Sequence, residues 1–298
     1  MIAHVPDNDP IAANPQGSCC LDADARQLPE VLRSATVVFE RLIRLGSSIP
    51  PLTLTAEEYH HETTGHDHPV IPAAFCTALE DYVQESLLQS MGIAPGMHWQ
   101  HLVGEMRSGL TNLLHELLHA VKSPEAPSQG ALSAPLPKSA DFLAEGIVEY
   151  GTQLFFEDFV TALGIPNPEH ILGAANHMSR PYSEQAAAVR TVIETFSQDF
   201  DTTPRTLLRQ MLQFGGYPDG FTRFLERIGT KSGLSHDCTH AVLLPDIHAQ
   251  LDQLIDSIRP LRHDAEESGR FIGYLLTARM QQTIAAQRKT LTARFSMN

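Results

Sequence analysis

The chain has 298 residues, of which 35 are acidic and 21 are basic, so its formal net charge at pH 7 is -14. This acidic balance argues against a nucleic-acid partner, because phosphates are bound by basic surfaces. The hydrophobic content of 42% is ordinary for a globular protein. No apolar stretch approaches the roughly 20 residues that a membrane-spanning helix needs.

The cysteines and the N-terminus both bear on the cellular compartment. The N-terminus has no basic segment followed by an apolar one, so a Sec-type signal peptide is not predicted. We expect a cytoplasmic protein, or one exported by a non-Sec route such as effector secretion. The four cysteines are irregularly spaced and predict reduced thiols rather than a disulfide framework: Cys19, Cys20, Cys76 and Cys238.

The N-terminal part of the chain predicts little regular structure before its first helix. Residues 1–28 are polar and rich in Asp, Asn and Pro, which predicts a disordered leader. The next segment has Pro near its start and Gly at its end, and it predicts a helix over 29–46. Residues 50–58 alternate and include β-forming residues, which predicts a short strand.

A histidine-rich segment over residues 60–68 follows this strand. Its spacing fits no single helical face, and a Thr-Thr-Gly sequence interrupts it, so a solvated loop is the favoured interpretation. A further metal site or a wall of an active-site cleft is the alternative. The residues concerned are His60, His61, His66 and His68, with Glu62 and Asp67.

Helices are predicted next over 72–91 and 98–122, and the second contains the most informative motif of the chain. Residues 115–119 read HELLH, so His115 and His119 lie four residues apart and on one helical face. Leucines recur around them at three- and four-residue steps, as on a buried amphipathic helix. Two imidazoles on such a face suit a zinc ion, and the adjacent Glu116 can take a proton from an attacking water.

A second motif follows a Pro- and Ser-rich stretch over 123–139, which predicts a loop. The helix predicted over 139–163 contains the segment LAEGIVEY, where Glu145 can supply the third protein ligand of a catalytic zinc. Glu149 lies one turn further on and can accept a hydrogen bond from a ligand imidazole, which fixes the tautomer of that ring. Gly146 has no side chain, so we expect this helix to approach the HELLH helix closely.

The remaining sequence predicts five more helices, over about 182–198, 204–214, 219–229, 246–258 and 264–293. A zinc peptidase also needs a donor to the oxyanion of its tetrahedral intermediate. Tyr182 is the first candidate because it precedes an amphipathic run, and His177 and Tyr217 are the alternatives. Four later histidines have no partner motif and are predicted to be surface or core residues: His236, His240, His248 and His263.

The two motifs together resemble the gluzincin metallopeptidases, the clan of thermolysin and the zinc aminopeptidases. In that clan an HExxH helix is followed by a helix that opens with a glutamate ligand, and the match here covers residues 98–155. The resemblance implies that His115, His119 and Glu145 bind Zn²⁺ and that Glu116 is the general base.

The resemblance also implies a fold and an activity. The fold is predominantly α, in an α+β zincin-like arrangement with a small N-terminal sheet, an active-site helix and a helical C-terminal lobe. Residues 29–298 would form one metallopeptidase domain, with an N-lobe over about 29–122 and a C-lobe over about 139–298. The activity is hydrolysis of peptide bonds in a protein or peptide substrate, whose backbone would pair with the strand over 50–58.

Three alternatives stay open at this point. In the aspzincin metallopeptidases a carboxylate ligand follows the second histidine closely, and Glu125 lies six residues after His119. An aminopeptidase is a second alternative, although the acidic segment that usually precedes HExxH in those enzymes is missing, which favours an endopeptidase. A non-catalytic zinc-fold protein with a regulatory or binding role is the third, and the presence of Glu116 weighs against it.

Overall fold

The computed structural model describes residues 30–43, 53–55, 70–121, 138–174, 182–235, 239–259 and 264–296, and these ranges are predominantly α-helical. A π-helical segment, Thr239–Leu243, leads directly into the α-helix that begins at Leu244. The α-helices are α1 (Glu30–Ile43), α2 (Ala73–Ser90), α3 (Trp99–His119), α4 (Lys138–Ala162), α5 (Pro168–Gly173), α6 (Ser183–Asp199), α7 (Pro204–Gln213), α8 (Asp219–Lys231), α9 (Leu244–Ile258) and α10 (Ala265–Ser296).

The helices predicted from periodicity and capping are confirmed, with ends that agree to within about three residues. The short helix α5 and the π-helical segment were not predicted. Neither spans enough residues to show a periodic apolar pattern, so the sequence carries no signal for them. Within the described ranges, no helix is both long enough and apolar enough to cross a membrane.

Strand structure is confined to a single short ladder in the described part of the chain. The strand β1 (Thr53–Thr55) pairs in parallel with β2 (Val70–Pro72). β1 lies inside the segment predicted to be a strand, but each strand has only three residues. Helix α2 begins directly after β2, so β2 ends at Pro72. The small zincin-like sheet expected from the resemblance is therefore not seen in the described residues.

One hydrophobic core joins the helices of the expected N-lobe and C-lobe. Its fully buried members include Tyr82 of α2, Leu114 of α3, Phe159 of α4 and Leu251 of α9. Helix α3 packs between α2 and α4, and α6 packs against α4 and α10. The leucines around the HELLH motif lie on the buried face of α3, as predicted, so the end of α3 is held firmly against α4.

Two glycines set the distances between α4 and its neighbours. A Cβ atom at Gly146 would lie 2.6 Å from Val189 Cγ2 and 2.7 Å from the carbonyl oxygen of Gln185, both on α6. The expectation that Gly146 brings α4 close to the HELLH helix was therefore wrong, because this residue faces α6. Gly151 is instead the glycine at which α4 approaches α3 closely, since a Cβ atom there would lie 3.1 Å from Leu118 of α3.

Candidate metal centre

The end of α3 carries the two histidines of the HELLH motif. His115 is nearly buried, with 9% of its side chain exposed, whereas 34% of the His119 side chain is exposed. The two rings meet edge to face with their centroids 4.8 Å apart, and their Nε2 atoms lie 3.1 Å apart. The helical spacing thus turns the same nitrogen of each ring towards one point.

Glu145 of α4 brings a carboxylate oxygen to the same point. Its Oε2 atom lies 3.5 Å from Nε2 of His115 and 3.4 Å from Nε2 of His119. This oxygen is buried and has no hydrogen-bond partner among the described residues. A buried carboxylate oxygen without a partner costs free energy unless a cation lies close to it.

The three ligand atoms have the separation that a zinc ion needs. Tetrahedral ligands at about 2.0–2.1 Å from zinc lie about 3.3–3.4 Å from one another. The sides of this triangle, 3.1, 3.4 and 3.5 Å, bracket that separation. Two imidazoles and one carboxylate are also the donor set of catalytic zinc sites that keep a fourth position open for water. The group His115, His119 and Glu145 therefore fits a zinc ion.

Glu149 lies behind His115, on the side away from the other two ligand atoms. Its Oε2 atom is 3.4 Å from Nδ1 of His115, and only 7% of its side chain is exposed. A carboxylate at Nδ1 favours the tautomer that has its proton on Nδ1 and its lone pair on Nε2. Glu149 is thus placed to orient His115 for a metal, which is the position that the spacing of α4 predicts.

The carboxylates around His115 determine how this ring holds a proton. Burial lowers the pKa of His115, but the nearby carboxylates of Glu145 and Glu149 and the charge of Glu116 outweigh burial and raise the pKa to about 9. Burial likewise raises the pKa of Glu145, but contacts with His115 and His119 outweigh it and lower the pKa to about 2. The cluster therefore favours positive charge between its carboxylates.

Two further residues lie beside the ligands. The ring of Tyr182, the residue before α6, stacks on His115 with centroids 5.6 Å apart and planes 10° apart. Burial, followed by the charges of Glu145 and Asp141, raises the pKa of Tyr182 to about 12, so its hydroxyl remains a proton donor at neutral pH. Glu116 is close enough for its charge to contribute to the raised pKa values of both His115 and Tyr182.

Two polar residues of α4 lie on the same helical face as Glu145 and Glu149 and were not predicted from the sequence. Asp141 is one turn before Glu145, and burial together with the charge of Glu145 raises the pKa of Asp141. Gln153 is one turn after Glu149 and donates a hydrogen bond from Nε2 to Glu149 Oε1 at 3.0 Å. The four-residue spacing of these four residues along α4 was a signal that could have found them.

Other predicted residues lie elsewhere or outside the described ranges. Glu125, His177, the leader over 1–28 and the histidine-rich segment over 60–68 are outside them. Tyr217 is engaged in a separate cluster, where its hydroxyl lies 3.3 Å from Nε2 of His248. Of the described oxyanion candidates, Tyr182 is therefore the one that lies against the candidate metal centre.

Comparisons of this chain with protein-family models, with curated proteins and with solved structures found no match.

Proposed function

We propose that this chain is a zinc metallopeptidase of zincin-like design, an endopeptidase that hydrolyses peptide bonds in a protein substrate. The observation that carries the proposal is the triangle of Nε2 of His115, Nε2 of His119 and Oε2 of Glu145, with sides of 3.1 to 3.5 Å. Support also comes from the buried carboxylate oxygen of Glu145, which has no hydrogen-bond partner among the described residues.

Each residue of the site has a task in this proposal. Zinc, when bound, supplies Lewis acidity that polarises the scissile carbonyl and lowers the pKa of the attacking water. Glu116 takes the proton of that water and passes it to the leaving amine. Tyr182 keeps its proton at neutral pH and donates a hydrogen bond to the oxyanion. About a third of the His119 side chain is exposed, and the substrate would approach the zinc from this side.

The experiment compares zinc-loaded full-length protein with its Glu116→Gln variant. Each is incubated with a cellular protein extract, and the new N-termini are mapped by mass spectrometry. Glutamine keeps the shape of the side chain but is not a base. The variant should therefore keep its zinc, and its cleavage rate should fall by about 10²–10⁴-fold. The matched control is Glu105→Gln, which changes a half-exposed glutamate of the same helix and should leave the rate unchanged.

Two outcomes contradict this proposal. Equal cleavage by wild type and Glu116→Gln would remove Glu116 from the role of base. A wild-type protein that binds zinc but creates no new N-termini would favour the alternative of a non-catalytic zinc-fold protein with a regulatory or binding role.

A further inference from the structure

A chain of polar contacts begins at Nδ1 of His115 and leads away from the candidate ligand atoms. Oε2 of Glu149 lies 3.4 Å from Nδ1 of His115, and Gln153 donates from Nε2 to Glu149 Oε1 at 3.0 Å. Arg190 of α6 donates from Nη2 to Oε1 of Gln153. Both oxygens of the Glu149 carboxylate are thus engaged, one by the ligand imidazole and the other by an amide.

The direction of this chain is fixed by chemistry. A guanidinium has donors and no acceptor, so the oxygen of the Gln153 amide must face Arg190. The amide nitrogen of Gln153 must then face Glu149, which can only accept while it is ionised. Arg190 is itself held in place, since its guanidinium lies over the ring of Tyr150 at 5.6 Å and 3.8 Å from Oε1 of Glu266.

A neighbouring cavity offers the Glu149 carboxylate a second orientation. The cavity has a volume of about 340 Å³, and Glu149, Gln153 and Arg107 are among the residues that line it. Without a donor at Oε1, the carboxylate could turn into this polar cavity towards Arg107 and leave Nδ1 of His115 unpaired. Ligand imidazoles lose metal affinity when the partner of their second nitrogen is lost.

We propose that Gln153 and Arg190 are positioning residues of the metal centre. They hold the Glu149 carboxylate on Nδ1 of His115, and through it they direct the Nε2 lone pair of His115 towards the metal. This inference rests on the proposed zinc site and extends it to α6, since Arg190 lies on a helix that contributes no metal ligand. The role is indirect, because neither side chain reaches the ligand atoms.

The test measures zinc affinity of full-length variants by titration against a competing chelator. Gln153→Glu keeps the size of the side chain and its contact with Arg190, but it places a carboxylate against Glu149. The zinc dissociation constant should rise by about 10- to 100-fold. The matched control is Gln210→Glu, because Gln210 accepts from Arg227 in the same kind of pair on an exposed surface. Its zinc affinity should equal that of the wild type.

A pair of substitutions at Arg190 gives an independent measure that does not depend on Gln153→Glu folding. Arg190→Met removes the donor to Gln153 and should weaken zinc binding by about tenfold. Arg190→Lys keeps a cationic donor and should recover part of this loss, which a purely steric role would not predict. Thermal unfolding of the metal-free variants reports stability separately from metal affinity.

The outcomes separate this inference from the proposed function. Weaker zinc binding in Gln153→Glu and Arg190→Met, with Gln210→Glu unchanged, supports it. Wild-type zinc affinity in both Gln153→Glu and Arg190→Met would overturn this inference but would leave the proposed metal centre unaffected. A wild-type protein that takes up no zinc would overturn the metal centre and this inference together.

Discussion

Two imidazoles lie against helix α4, and their partners differ in charge. His115 lies between the carboxylates of Glu145 and Glu149, at 3.5 and 3.4 Å. His248 of α9 lies between two hydroxyls, with Nδ1 at 3.0 Å from Ser139 Oγ and Nε2 at 3.3 Å from Tyr217. Each ring has a partner at both nitrogens, so hydrogen bonding alone does not distinguish the two sites.

The difference appears in the charge that each site favours. Carboxylates outweigh burial at His115 and raise its pKa to about 9. Burial lowers the pKa of His248, and the opposing charge of Asp252 is the smaller effect. The first cluster therefore stabilises a cation, whereas the second stabilises a neutral ring that links α4 to α9. The environment of His115 thus suits the proposed metal ligand, whereas His248 links α4 to α9 through hydroxyl groups.

The largest expected effect comes from removing each imidazole in turn. His115→Ala removes a ligand and should abolish stoichiometric zinc binding. His248→Ala should keep about one zinc per chain, and it should lower the free energy of unfolding by about 1–3 kcal/mol because Ser139 and Tyr217 lose their partner. Elemental analysis and urea denaturation measure the two effects. Equal zinc loss in both variants would remove the distinction between the clusters.

The next largest effect is on zinc affinity, when each candidate carboxylate is replaced in turn. Glu145→Ala should lose most of the zinc affinity, and Glu149→Ala should lose about 10- to 100-fold. Glu125→Ala should bind zinc as the wild type does, because the triangle is complete without Glu125. Chelator competition gives the order. If Glu125→Ala proved to be the metal-free variant and Glu145→Ala bound normally, the aspzincin-like alternative would replace the gluzincin-like proposal.

The convergence of His115, His119, Glu145 and Glu149 could be predicted because these residues lie on two helices with regular spacing. HELLH fixes the face that His115 and His119 share, and the second motif puts Glu145 and Glu149 one turn apart. The helices themselves were predicted from apolar periodicity, which a mostly helical chain preserves over long segments.

The contacts between residues on different helices could not be predicted, because they depend on which helices pack together. Arg190 reaches Gln153 only because α6 packs against α4, and no pattern within either helix indicates that contact. Gly146 faces α6 for the same reason, although its position next to Glu145 pointed towards α3. The partners of His248 are more than 30 residues away in sequence, at Tyr217 and Ser139.

A smaller effect is expected from a substitution that separates α4 from α6 but keeps every candidate ligand. Gly146→Ala places a Cβ atom 2.7 Å from the backbone oxygen of Gln185, so α4 and α6 must separate. We expect a loss of about 1–3 kcal/mol in the free energy of unfolding, with weaker zinc binding because Glu145 is the adjacent residue. The control, Gly104→Ala on α3, meets nothing within 4 Å and should be neutral or stabilising by up to about 1 kcal/mol. Equal stability of the two variants would contradict the close packing of α4 on α6.

The smallest effect is the pH dependence of the neutral cluster. Since the pKa of His248 is lowered in the folded state, the unfolded chain binds a proton there more readily. Stability from this residue is therefore present above the unfolded pKa of about 6.5 and is lost as pH falls below it. The loss should stay below about 1 kcal/mol, because the ring is only half-buried. Urea denaturation at pH 7.5 and 5.5 should show a smaller decrease for His248→Gln than for the wild type, and equal decreases would contradict the assignment.

X-ray absorption spectroscopy on purified full-length protein is the sharpest test of whether His115, His119 and Glu145 hold one zinc ion. We expect about one zinc per chain, with nitrogen and oxygen ligands at about 2.0–2.2 Å that include two imidazoles. Protein that contains no zinc and takes up none when it is added would contradict this expectation. A zinc spectrum with sulfur at about 2.3 Å would contradict it equally, because the proposed ligands include no thiolate.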